Sequence, residues 1–276
     1  MRELLSDNEK FARVVEALRP WLPYVVIAGG WAHRLHRLHA LAESPGYLPL
    51  MTKDVDVALG RLGAGNANIL DMLKAAGFQE EMSGDARPPI TYYRLGSPDQ
   101  PFYVEFLTPL VGSENKRDGT PDITTTISGV SAQKLRHLEV LLLGPWSVAI
   151  GPDNGFPLVQ QVTVTVPNAA AYIAQKLLIL GRRKREDQER DILYIHDTLQ
   201  TFAAHLVDIR EAWHKDVLPH LHGRRNADIQ ATIRSRFSDL NDRIRGAAAI
   251  AASVGRSLPA QSLLEACQVG LPSIFS

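Results

Sequence analysis

Thr52-Lys53-Asp54-Val55-Asp56-Val57-Ala58-Leu59 is the stretch from which the fold can be read. From Asp54 onward, Val55, Val57 and Leu59 alternate with Asp54, Asp56 and Ala58, the period of two that a half-buried strand requires. Alternation sends both aspartates to one face and the valines into a core. Two like charges side by side repel, so without a compensating cation one must take up a proton or the strand is destabilised. A hard divalent ion removes that cost. Mg2+ is usually held by one or two carboxylates plus phosphate oxygens, which is what this strand offers to a nucleotide. The plain alternative is a solvated edge strand.

Upstream, Ser6 and Glu9 have capping-box spacing, and Phe11, Val14, Val15 and Leu18 recur at helical intervals, predicting a helix to about Trp21 that Pro23 ends. Tyr24 to Ala28 reads as a short strand that stops at Gly29-Gly30. Trp31, Ala32, Leu35, Leu38 and Leu41 then predict a second helix. Downstream, Ile69 to Ala76 reads as a helix closed by Gly77, and Thr91 to Leu95 and Phe102 to Leu107 as strands joined by a Gly/Ser/Pro/Asp turn. Ser113 to Pro121 reads as a loop, and Leu138 to Leu143, Ser147 to Ile150 and Val162 to Val166 as further strands. Beyond Pro167 the pattern is helical: Ala169 to Leu180, Gln188 to Phe202, Val207 to Leu218, Ala227 to Ala252 and Gln261 to Ala266. The expected class is α+β: a mixed sheet with flanking helices over residues 1–166, then a helical domain over residues 167–276.

Glu105 lies within the apolar run Tyr103-Val104-Glu105-Phe106-Leu107. If its strand neighbours that of Asp54 and Asp56, three carboxylates converge, enough to hold two metal ions about an in-line phosphoryl displacement. Gly29 and Gly30 lack Cβ atoms and let a triphosphate approach the backbone, while the following helix offers free N–H groups and a positive dipole end.

Ala28-Gly29-Gly30-Trp31-Ala32, Thr52 to Val57, and Val104-Glu105-Phe106 together resemble the glycine turn, aspartate pair and third carboxylate of the polymerase-beta-like nucleotidyltransferase superfamily. The Gly-Gly-Trp-Ala turn is similar to that of small antibiotic nucleotidyltransferases. Val164 to Pro167, Gln175-Lys176-Leu177, Arg182 to Arg185 and Arg190 to Ile195 resemble the strand, lysine helix and basic-aspartate helix of abortive-infection and toxin-type members. The resemblance implies NMP transfer from an NTP to an acceptor hydroxyl with Mg2+, or Mn2+ in its place. Asp54, Asp56 and Glu105 would be the catalytic residues and metal ligands, Glu105 as the third ligand or as the group that orients the acceptor hydroxyl, and Gly29, Gly30, Lys53, Lys176 and Asp191 the nucleotide-binding residues. The toxin-like tail favours tRNA or a protein hydroxyl as acceptor and implies a cognate antitoxin. A small antibiotic acceptor and a non-catalytic nucleotide-binding module are the alternatives. One departure is the interval from Gly30 to Asp54, longer than is usual in the family, which must fold back for the site to exist.

Composition narrows the field. Thirty Lys and Arg balance thirty Asp and Glu, so no global field draws the chain to nucleic acid or an anionic bilayer. A single cysteine, Cys267, excludes an internal disulfide and a cysteine-rich zinc site and favours a reducing compartment. No apolar run fits a signal peptide or a membrane span, so a cytoplasmic protein without a membrane partner is expected. His33, His36 and His39 recur on the second helix among Arg34 and Arg37, read as a hydrated or phosphate-facing surface more readily than as a zinc site. Arg182 to Arg185 reads as a charge-laced turn or a phosphate contact.

Overall fold

A computed structural model describes residues 5–60, 68–83, 90–97 and 101–276. In chain order the α-helices and strands are α1 (Asp7–Ala17), β1 (Val25–Ile27), α2 (Gly29–His36), β2 (Asp54–Leu59), α3 (Ile69–Ala75), β3 (Gln79–Ser83), β4 (Ile90–Leu95), β5 (Phe102–Pro109), β6 (Thr124–Ile127), β7 (Val130–Leu135), β8 (Trp146–Ile150), β9 (Val162–Val166), α4 (Ala169–Ile179), α5 (Arg185–Thr201), α6 (Leu206–Ala212), α7 (Arg225–Arg236), α8 (Asp242–Ser253) and α9 (Ala260–Phe275). The fold is mixed α and β with a helical C-terminal region. The chain divides into two compact units, Met1–Ala32 with Met51–Val166, and His33–Leu50 with Pro167–Ser276.

The first unit is built on a sheet of order β1-β2-β5-β4-β3, with β7 added to β5 and β6 to β7. β2 pairs parallel to β5 and antiparallel to β1, while β8 and β9 form a separate antiparallel ribbon. One face of the central strands is apolar, with Val55, Val57, Val104 and Phe106 buried. There Phe11 stacks on Trp31 with ring centroids 4.0 Å apart, and Trp31 meets the edge of Phe102 at 6.0 Å. Such aromatic pairs add to area burial and lock α1 and the start of α2 to the sheet. The Ser6–Glu9 capping box forms as expected.

Several boundaries differ from the sequence pattern for local reasons. α1 stops at Ala17 because Pro20 supplies no N–H to continue it, and a 3-10 segment, Arg19–Tyr24, follows. α2 ends at His36 rather than at Leu41, tightening through i to i−3 bonds such as Leu38 N–H to Leu35 O, which leaves Leu38 exposed. Leu138–Leu142 is a 3-10 helix, not a strand. The predicted helix Ala227 to Ala252 is two helices, because Asn241 turns its side chain onto the N–H groups of Arg243 and Ile244 and starts α8 afresh. α9 runs well past Ala266, and its buried face is Leu263, Cys267, Leu271 and Ile274. β3, β6 and β7 are strands that the sequence pattern does not predict, because Gln79-Glu80-Glu81-Met82-Ser83, Thr124-Thr125-Thr126 and Val130-Ser131-Ala132-Gln133-Lys134-Leu135 carry little strongly apolar alternation. The turn between β4 and β5 lies partly outside the described residues.

In the second unit α5 is the central helix, packed against α4, α8 and α9. At Gly246 a Cβ would overlap the carboxylate of Glu189, so glycine lets α8 approach α5 closely. Among the described residues no helix is long and apolar enough to cross a membrane.

Candidate active site

The glycine turn and the aspartate strand meet through the β1–β2 pairing. Ile27 is the register partner of Val57, and Ala28 N–H donates to the Asp56 carbonyl at 2.8 Å. Gly29 then adopts a left-handed φ of +58°, a conformation that only glycine takes without strain. A Cβ there would overlap Asp56 Oδ2 and lie 2.9 Å from its Cγ. The Asp56 carboxylate therefore rests against the first residue of α2, where the helix presents its positive end.

β5 completes the row from the other side. Its parallel register sets Asp54 abreast of Tyr103 and Asp56 abreast of Glu105. Side chains paired in register share a face, so Asp54, Asp56, Tyr103 and Glu105 project together, opposite the apolar core. The Lys53 carbonyl accepts from Tyr103 N–H at 2.9 Å, which secures the entry to β2; the Lys53 residue itself is exposed. Partial burial first, then the charges of Asp56 and Asp54, push the Glu105 carboxyl up to about 7. All three influences disfavour its anion. Among the described residues no three His, Cys, Asp or Glu side chains stand ready-made around a metal position. Mg2+ seldom uses such a cage. The oxygen-only donor set and the mutual repulsion of its charges fit a hard cation shared with phosphate oxygens.

The other predicted residues belong to the second unit. Lys176 is buried and ion-paired to Asp191 at 2.5 Å, with its ammonium over the rings of Tyr172 and Tyr194 at 4.9 and 4.7 Å. Arg183 approaches the same aspartate at 3.5 Å. Here a long-range pair holds α4 to α5. Removing one partner strands a buried charge, so Lys176→Met is expected to lower stability by about 3–5 kcal/mol. Lys176→Met with Asp191→Leu is expected to recover most of it, as urea unfolding would measure. A double variant no more stable than the single one contradicts this account.

His33 and His36 are fully buried, not on a hydrated surface as their spacing suggested. Burial pushes them down to about 3 and about 4 respectively, so both are neutral at physiological pH. Their rings pack on Tyr194, Tyr172 and Phe202, and His36 Nε2 lies 2.8 Å from the Pro167 carbonyl oxygen. Arg182 to Lys184 form an exposed turn before α5, and Arg185, the first residue of that helix, pairs with Glu189 at 2.7 Å.

One cluster had no sequence signal. Asp197 Oδ1 accepts from Tyr47 Oη at 3.1 Å and from Arg256 at 2.6 Å, with His196 Nδ1 at 2.8 Å. The Arg256 guanidinium lies 3.3 Å from the Tyr47 ring centroid. Burial opposes the Asp197 anion, yet the bonds from His196 and Arg256 outweigh it and hold this carboxyl below its ordinary value. These residues are about 150 and 59 positions apart, beyond any local motif. The cluster, with Glu43 N–H donating to Thr201 O at 2.8 Å, accounts for the long interval from Gly30 to Asp54: much of it is built into the helical unit.

A family model described as nucleotidyltransferase matches residues 7–218, well over half of the chain. The protein belongs to this nucleotidyltransferase family and is a nucleotidyltransferase. No curated protein matches the chain.

Proposed function

We propose that the protein is a divalent-metal-dependent enzyme that transfers NMP from an NTP to a hydroxyl of a macromolecular acceptor, tRNA or protein, in a toxin-like role. The observation that carries this reading is the Asp56–Glu105 register directly beside Gly29. Asp54, Asp56 and Glu105 would hold Mg2+, or Mn2+ in its place. The ion, when bound, supplies neutralisation of the charge that develops on the transferring phosphoryl group. Gly29 and Gly30 would receive the phosphates through the N–H groups at the N-terminus of α2, beside the Asp56 carboxylate that fills the space of a Gly29 side chain and with Gly30 itself buried, and exposed Lys53 is an available cation for them. Lys176 and Asp191 contribute by fixing the helical unit, since their charges are spent on one another.

In the reaction the acceptor oxygen forms a bond to the α-phosphorus, the bond from that phosphorus to the bridging oxygen breaks, and pyrophosphate leaves. The acceptor proton needs a base. As the third ligand Glu105 would be held ionised by the cation; standing outside the coordination, it would orient the acceptor hydroxyl, and its carboxyl, pushed up to about 7 without a metal, suits the task of base. The antibiotic alternative rests on the Gly-Gly-Trp-Ala wording. Trp31 is fully buried on Phe11 and Phe102, so packing explains that residue without a small-molecule acceptor. The cytoplasmic location and a cognate antitoxin belong to the same toxin-like reading.

The test incubates the protein with each α-labelled NTP and Mg2+, with and without bulk tRNA, beside Asp54→Asn and Asp56→Asn. Metal-dependent label transfer, reduced at least about 100-fold in both variants, is expected, the scale for losing positioned electrostatic stabilisation. Absence of transfer together with absence of any nucleotide-induced thermal shift would instead favour a non-catalytic module.

A further inference from the structure

The polar face of the sheet continues past the carboxylates. Arg94 is the register partner of Tyr103 and of Gln79, and Tyr92 is that of Glu81, so the row that begins at Asp54 and Asp56 runs on through β5 and β4 to β3. Tyr103 and Tyr92 meet edge to face, ring centroids 4.9 Å apart at 86°. Both are half-buried, Tyr103 abreast of exposed Asp54 and two residues from Glu105. Arg94 is fully engaged: it bonds Glu81 at 2.5 Å, Gln79 at 2.8 Å and the Gly96 carbonyl. With its charge cancelled by Glu81, this part of the face offers aromatic surface rather than a phosphate-binding cation.

In-line transfer puts the entering and leaving oxygens on opposite sides of the phosphorus. If the nucleotide phosphates sit at Gly29, on the β1 side of β2, the entering hydroxyl approaches from the β5 side. That side carries the tyrosines. We propose that Tyr103, braced by Tyr92, is a specificity-determining residue that stacks an unpaired nucleobase next to the acceptor hydroxyl at the end of a single-stranded RNA. The proposal rests on the nucleotidyl-transfer reading above for its direction of approach. Stacking on one terminal base suits a chain without net charge, which has no broad cationic footprint to grip a phosphate backbone.

The experiment measures binding without NTP or metal, by anisotropy of a 5′-labelled single-stranded oligoribonucleotide and of the same strand with an abasic 3′ end. Wild type is expected to prefer the strand bearing the terminal base, and Tyr103→Leu to lose roughly 5- to 100-fold of that affinity, the range for one base on one aromatic ring. Tyr103→Phe keeps the ring and is expected to stay within about twofold of wild type. Melting curves for both variants report folding, and leucine keeps the apolar bulk of the strand. Equal binding of the two strands by wild type, or by Tyr103→Leu with wild-type strength, overturns the proposal, as does undetectable RNA binding by a protein that labels a polypeptide. Preserved base discrimination without label transfer sinks the enzymatic reading and leaves the stacking site standing.

Discussion

Gly29→Ala is expected to abolish NMP transfer while leaving most of the fold intact. Any L residue at φ +58° costs about 1–2 kcal/mol. The new methyl group also occupies the place of Asp56 Oδ2, so the carboxylate must swing out of register with Glu105. A misplacement of about 1 Å in a reacting group lowers rate by roughly 100-fold, and here the displaced group is a proposed metal ligand. The predicted pattern is a fall in kcat of at least about 100-fold with a drop in Tm of only about 2–8 °C. Gly46→Ala, at a position with open space around it, serves as the control and should be silent. Wild-type turnover by Gly29→Ala would show that Asp56 is not needed where it stands.

The second large effect concerns Glu105 and runs against intuition, because removing a proposed catalytic carboxylate should stabilise the metal-free protein. Its pKa in the folded protein is about 7 against an ordinary 4.5. The unfolded chain therefore releases this proton at lower pH than the folded one. Below about pH 4.5 both states are protonated and the residue imposes no penalty. Between that value and about 7 the folded state binds more protons, so stability falls as pH rises, by about 3 kcal/mol in all. Glu105→Gln removes the titration and keeps the shape. It should melt several degrees above wild type at pH 8 and level with it at pH 4, measured without divalent ions. Mg2+ added at pH 8 should raise the Tm of wild type and leave Glu105→Gln nearly unmoved, because an ion that binds only the folded state stabilises it by mass action. A variant less stable than wild type at both pH values would mean that Glu105 carries no strained charge.

The carboxylate strand was legible because it is local. Asp54 to Leu59 alternate strictly, and β2 has the bounds that this alternation sets. The glycine turn was legible for the same reason, as a β-branched run broken by Gly29-Gly30. Where the pattern misled, a single group outside the periodicity decided. Pro20 withheld an N–H and shortened α1, and the Asn241 side chain offered itself to the backbone and split one predicted helix into two. The histidines misled in another way. Their interleaved arginines suggested water, whereas packing on Tyr172, Tyr194 and Phe202 took both rings out of it.

What the amino-acid sequence determined unaided is the chemistry on offer: three carboxylates, two on one strand face, and a glycine pair ahead of a helix. These follow from alternation and from the missing Cβ, which are properties of neighbouring residues. Which groups face one another was decided only by tertiary structure. The parallel β2–β5 register sets Asp56 beside Glu105, the burial this produces drives the Glu105 carboxyl towards neutrality, and the pairing of Lys176 with Asp191 commits a cation that the sequence left available for phosphate. Such pairings depend on contacts between segments tens of residues apart, and side-chain periodicity within a segment carries no information about its distant partner.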